Sequence, residues 1–193
     1  MGLEGKVCVV TGAGSGIGRA AAVEMARQGG KVVVSDVNDA SGQETLAEIT
    51  AGGGEAIYLH CDMRNGAEIE ALMAGAVAAF GRLDVLHNNA GVHESVFTDK
   101  MTVQDVPLEV WDAVMDINLK GVFLAARAAY PHMKAAGGGS IVNAGSTASL
   151  LAFPMCPVYT TAKHGVAGLP ASLYGRVPGV RRERAVVGAD PLV

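Results

Sequence analysis

A strand that turns through glycines straight into a helix, with further strands and helices alternating behind it, limits this chain to few folds. Val7–Thr11 is a β-branched run closed by glycines, the pattern of a buried strand. Ile17–Gln28 is Ala-rich and helical, and Gly29-Gly30 stops it. Lys31–Ser35 reads as a second buried strand, Ser41–Ala51 as a helix, Glu55–His60 as a third strand, Ala67–Phe80 as a helix and Val85–Asn88 as a fourth strand. After a loop, Leu108–Met115 and Asn118–Ala136 read as helices, Ser140–Asn143 as a fifth strand and Val158–Leu169 as a helix. Most of these strands are apolar on both faces, which predicts a parallel sheet covered by helices on both sides. Right-handed crossovers then give an α/β fold with a doubly wound sheet.

The glycine turn predicts a site. The first strand runs into Thr11-Gly12-Ala13-Gly14-Ser15-Gly16-Ile17-Gly18 at the start of a helix. Glycines let backbone turn tightly and approach a pyrophosphate, and a helix N-terminus accepts its charge. A Rossmann-type dinucleotide fold is therefore expected, with Gly12, Ser15, Gly16, Ile17 and Gly18 at the cofactor. No Lys-Ser or Lys-Thr follows the last glycine, so a triphosphate loop is not expected. Asp36 ends the second strand, 18 residues after Gly18. Its carboxylate can accept both hydroxyls of an adenosine ribose and repel a 2′-phosphate, and neither Val37 nor Ser15 supplies a compensating cation. NAD is expected over NADP.

Tyr159 and Lys163 stand at i and i+4, on one face of their helix. They follow the fifth strand, whose carboxyl end carries Ser146, and Asn118 opens an earlier helix. With these residues the chain resembles the short-chain dehydrogenase/reductase family over about residues 5–169. Thr11–Gly18 matches the family's glycine motif, Asn88–Gly91 its Asn-Asn-Ala-Gly, and Asn118, Ser146, Tyr159 and Lys163 its tetrad. The resemblance implies hydride transfer between NAD and a secondary alcohol or ketone. It implies Tyr159 as general acid/base, Ser146 as a hydrogen-bond donor to the substrate oxygen, and Lys163 on both the phenol and the nicotinamide ribose. Asn118 would position a water linking Lys163 to solvent. Asp62, with Met63 beside it, would meet the adenine, and Asn89-Ala90-Gly91 would line the cofactor. An ordinary Tyr titrates near ~10, too high for a base at neutral pH, so Lys163 and the nicotinamide ring would have to lower it.

Composition bounds the rest. At 193 residues, 50% hydrophobic and 18% charged, the chain can bury one full core and is expected to be a single domain, with residues 170–193 an atypical tail. The net charge of −4 argues against nucleic acid. Arg176, Arg181, Arg182 and Arg184 read as a solvated tail. Three widely spaced cysteines and five scattered histidines suit neither a disulfide framework nor a metal site, and a reduced, cytoplasmic setting is expected. The uncharged run Ala135–Ala162 is divided by Gly137–Gly139, Asn143, Pro154 and Pro157, so no membrane span is expected. Leu150, Leu151, Phe153, Pro154 and Met155 suggest an apolar or alicyclic substrate, or else ordinary core packing. The polar segment His93–Val106 either borders the substrate cleft or is a surface loop.

The chain departs from the family after Leu169. Pro170 falls where the catalytic helix should continue and is expected to end it. Gly179-Val180-Arg181 matches the start of the family's sixth strand, but Arg182-Glu183-Arg184-Ala185 replaces its continuation. Read one nucleotide later, codons for those four residues can give Val-Asn-Ala, so a frameshifted tail is expected, with the last strand and substrate loop missing. The competing reading is a catalytically impaired NAD-binding protein. The complete protein is expected to be a homo-oligomer.

Overall fold

The computed structural model describes residues 2–151, 153, 155–173 and 180–181, the segments 170–173 and 180–181 by backbone alone. The strands are β1 (Val7–Thr11), β2 (Lys31–Asp36), β3 (Glu55–His60), β4 (Val85–Asn88), β5 (Gly139–Asn143) and the two-residue β6 (Val180–Arg181). They form one sheet in the order β3-β2-β1-β4-β5-β6, and every pairing is parallel. The sequence order reverses between β1 and β4, which opens a crevice at their carboxyl ends, the ligand position of a doubly wound fold. The expected α/β class is therefore observed.

Helices cover both faces. The α1 helix (Gly16–Arg27) and α2 (Asp39–Ala51) pack Ala22, Ala26 and Ile49 against Val10, Val32 and Val34. On the opposite face, α3 (Gly66–Phe80) and α5 (Gly121–Ala135) pack Ile69, Leu72, Met73, Ala129 and Met133 against Val7, Val9, Leu86 and Ile141. Alternate residues of β1 thus feed two cores, as the two-residue period of a strand requires.

Several elements shift by one or two residues at their ends, and three differ from the expectation in more than that. The chain from α4 (Leu108–Met115) into α5 does not restart at Asn118, because a π turn over Asp116–Lys120 joins the two helices without a break. No glycine or proline interrupts Asp116–Lys120, and a single wide turn absorbs the extra residue while Asn118 stays fully buried. The helix carrying Tyr159 and Lys163, α6 (Pro157–Leu173), begins one residue early and passes through Pro170. Proline costs one backbone hydrogen bond there, but a helix packed against the π turn, α4 and the turn after β5 continues through the defect. The polar segment is not uniformly loop, since Glu94–Val96 forms a single 3-10 turn. The expected tail beyond Leu173 lies outside the described residues, except that Val180–Arg181 pairs with Gly139 and Ser140 of β5. Among the described residues, no helix is long and apolar enough to cross a membrane.

The end of the sheet remote from the crevice is joined by Asp84. Its carboxylate accepts from the Val7 amide, from Lys6 Nζ and from Arg82, while its own amide donates to Val7 O and its carbonyl accepts from the Ser140 amide. One residue thereby aligns the starts of β1, β4 and β5. Burial would push this carboxyl up, but the hydrogen bonds from Arg82, Val7 and Lys6 outweigh it and hold it below the ordinary value. A depressed carboxylate stabilises the fold above its unfolded value near ~4, and this contribution disappears as pH falls through the folded value. We expect Asp84→Asn to destabilise the chain at pH 7 by about 1–3 kcal/mol. Thermal melts across pH should show the gap to wild type closing below about pH 4; a gap that stays constant with pH would contradict this assignment.

Candidate active site

The crevice is built first by close approach of backbone. Gly12 has φ 63°, and a Cβ placed there would lie 2.8 Å from Ala90 Cα. A Cβ on Gly18 would run into the Gly12 carbonyl. Only glycine lets the loop after β1 fold under the end of β4 and against the first turn of α1. The contact is then tied by side chains. Thr11 Oγ1 accepts from the Asn89 and Ala90 amides and donates to His87 O. Asn89 Nδ2 donates to the carbonyls of Thr11 and Gly12 at 3.1 and 3.2 Å. Asn88 Nδ2 donates to Asn143 Oδ1 at 2.9 Å and carries the same bracing to β5.

The resulting cleft has a volume of about 490 Å³. Its floor is the glycine loop, its far wall Asp36 and Asp62-Met63, and its near wall Asn89-Ala90-Gly91. Each cofactor residue picked from these motifs lines it except Gly18, which supports the loop from behind. Ser15 stands at the N-cap of α1 in extended conformation and its side chain makes no cap hydrogen bond. The start of α1 therefore presents amides to the cleft, an arrangement that suits a phosphate. Ile17 is 58% exposed beside it. The Asp36 carboxylate accepts from the Gly14 and Asn38 amides at 2.8 and 2.9 Å, which fixes it at the end of β2. Asp62 is held below its ordinary value by Arg64, which hydrogen-bonds both carboxylate oxygens.

Beyond Gly91, at the other end of the cleft, lie Asn118 and Lys163, with Tyr159 next to Lys163 and Ser146 two residues after the carbonyl that Lys163 holds. Ser146 follows β5 and caps the 3-10 turn Thr147–Ser149. Its Oγ accepts from the Ala148 amide at 3.1 Å, and its own amide donates to Ser149 Oγ at 3.0 Å. Lys163 is 5% exposed, donates to Ala144 O at 2.8 Å and lies 5.6 Å from the Tyr159 ring centre. Burial pulls its ammonium down to about 8. The fully buried Asn118 clasps the Val92 backbone with both ends of its amide, at 2.8 and 2.7 Å. Gly91 links the two ends of the site. A Cβ there would lie 3.2 Å from Asn118 Oδ1 and 3.6 Å from Lys163 Nζ. Lys163 thus borders the cleft through Gly91 rather than lining it, and Tyr159 stands next to Lys163. His93 packs its ring against Tyr159, centre to centre at 5.0 Å, so the segment that begins there borders the site. Leu150, Leu151 and Met155 are 58–69% exposed and Phe153 36%, which excludes core packing for these four; Pro154 lies outside the described residues.

The model of the family described as short chain dehydrogenase matches residues 6–177. The chain belongs to this family. It is 40% identical over 173 residues to an uncharacterized oxidoreductase of Thermotoga maritima, an alignment covering 90% of this chain and 66% of that one. It is also 40% identical over 164 residues to a cyclohexanol dehydrogenase of Acinetobacter sp., covering 85% of this chain and 64% of that one. A short chain dehydrogenase/reductase of Burkholderia phymatum, solved in complex with NAD, superposes with a TM-score of 0.86 at 34% identity, over 93% of this chain and 64% of its own. The chain spans about two thirds of the length of these relatives.

Two bracing residues escape a motif reading. Arg19 donates to Gly14 O through Nε and Nη2, reaches Ser41 O and pairs with Glu44 at 2.9 Å, so it pins the glycine loop to α2. Ser149 holds the Ser146 amide, and its only sequence signal is the Ser-x-x-Ser spacing of a capping box.

The buried Lys163 has a measurable consequence. A lysine whose folded value lies below its unfolded value of ~10.4 opposes folding at neutral pH, and that penalty fades as pH rises from about 8 towards the unfolded value. We expect Lys163→Met to raise the melting temperature of the ligand-free chain at pH 7, with the advantage shrinking between pH 8 and 10. A lower melting temperature for Lys163→Met at pH 7 would show that the bond to Ala144 outweighs the desolvation.

Proposed function

We propose that the protein transfers hydride between NAD(H) and an apolar or alicyclic secondary alcohol or its ketone. One observation supports this most: Lys163 lies beside Tyr159 and, with Asn118, meets Gly91 at the edge of the cleft, and it holds the Ala144 carbonyl two residues before Ser146. The glycine loop, the uncapped start of α1 and Asp36 fit a dinucleotide of this kind. Asp36 favours a ribose with two free hydroxyls over a 2′-phosphate, and the nearby cation, Arg19, is already engaged by Gly14, Ser41 and Glu44. The Burkholderia relative solved with NAD supports the same choice.

When bound, the nicotinamide supplies or accepts the hydride. The proton falls to the chain. Tyr159 takes it from the substrate hydroxyl or returns it to the carbonyl oxygen. Ser146 Oγ accepts from the Ala148 amide, which leaves its O–H available to donate to the same substrate oxygen. Lys163 is charged at neutral pH and sheds its proton near 8, so it both favours the phenolate of Tyr159 and can relay a proton. Asn118 holds the Val92 backbone and lies with Lys163 beside Gly91, where it would order a water that passes protons to solvent. Leu150, Leu151, Phe153 and Met155, exposed on the chain between Ser146 and Tyr159, offer apolar surface consistent with an apolar substrate. We also propose a cytoplasmic protein that associates with its own kind through exposed Leu108, Trp111 and Phe123 of α4 and α5.

Fluorescence titration with NADH and NADPH, together with oxidation of cyclohexanol by NAD, tests the reading. NADH should bind more tightly than NADPH, and Asp36→Ala should narrow the difference. Tyr159→Phe should lower turnover by at least about 100-fold while NADH binding changes little. Tighter NADPH binding would overturn the cofactor choice, and near-normal turnover in Tyr159→Phe would overturn the mechanism.

A further inference from the structure

The N-terminus of α6 has an unusual cap. Pro157 is its first residue and has no amide proton to satisfy. The Thr160 amide makes the first intrahelical bond, to Cys156 O at 3.0 Å. Between them, the amides of Val158 and Tyr159 both donate to one carboxylate, Glu94, at 3.1 Å to Oε1 and 2.7 Å to Oε2. Glu94 is fully buried and lies 64 residues upstream, in the 3-10 turn that follows His93. No cation pairs with it among the described residues; its charge faces the two amides and the positive end of the helix. The chain reaches Pro157 through Met155, whose φ of 68° is unfavourable for a side chain, so local sequence does not by itself set where α6 begins.

We infer that Glu94 is a positioning residue: it sets the first turn of α6, and through it the phenol of Tyr159, while seating His93 against the same ring. This rests on the role proposed for Tyr159. A carboxylate matches two parallel amides, whereas a carboxamide offers only one oxygen and turns an N–H donor towards the second amide. Glu94→Gln therefore conserves volume and removes half the cap. A cap can be returned locally, because serine at position 156, the N-cap of α6, can accept from the Tyr159 amide.

The experiment compares wild type, Glu94→Gln and the double variant Glu94→Gln/Cys156→Ser by amide hydrogen exchange, NADH titration and NAD-dependent cyclohexanol oxidation. In Glu94→Gln we expect exchange at Val158 and Tyr159 to accelerate at least about tenfold and kcat to fall by about the same factor. NADH affinity should change by less than about threefold, because the glycine loop and Asp36 are untouched. The double variant should recover most of both losses. Wild-type exchange and kcat in Glu94→Gln would overturn the inference. So would a loss spread evenly over the whole chain with NADH affinity falling in parallel, or a local loss that Cys156→Ser does not repair. If the wild-type chain oxidises no alcohol, the proposed activity fails. The exchange measurement then decides the inference alone: unchanged protection at Val158 and Tyr159 rejects it, and local loss repaired by Cys156→Ser upholds it.

Discussion

Everything at the cleft depends on how closely two strand ends approach each other. The loop after β1 passes within van der Waals reach of Ala90 because Gly12 carries no side chain, and the Thr11 hydroxyl closes the gap by receiving two amides from the end of β4. A methyl group at Gly12 would push these apart. Gly91, next in the β4 segment, would then no longer meet Asn118 and Lys163. The glycine-loop end and the Lys163 end of the cleft are therefore mechanically one object. Asn89 fastens the first and Gly91 touches the second, with only Ala90 between them.

Much of this was legible in the residues. The bounds of β1 follow from a β-branched run closed by glycines, those of β3 and β4 from short apolar stretches between turn residues, and the parallel order from strands that are mostly apolar on both faces. The cleft was legible because glycine positions are dictated by backbone sterics, which are local, and because Asp36 ends a strand whose length is fixed by its neighbours. Lys163 and Tyr159 share a helix face by simple periodicity.

What escaped the sequence is non-local. The π turn at Asp116–Lys120 has no composition signal, since its cause is the burial of Asn118 against Val92. Pro170 reads as a stop, yet packing carries the helix past it. Glu94 reads as one charge in a polar segment, and nothing near it in the chain announces two amides 64 and 65 residues away. Tertiary packing overrides local propensity in each case. The apolar run Leu150–Met155 was ambiguous for a related reason: hydrophobicity alone does not say whether a side chain faces the core or a cleft.

The place of β1 at the centre of the sheet also governs how the chain is made. Its pairing with β2 needs only the next 25 or so residues, but its other edge waits for β4 and for Asp84, whose carboxylate accepts from Val7 across 77 positions. During synthesis on the ribosome, β1, β2 and β3 can therefore assemble as a half-sheet whose β1 edge, with valine at three of its five positions, is still unpaired. Unpaired strand edges of this composition invite pairing with other chains. Until Asn88 has been made, that edge has no partner within the chain.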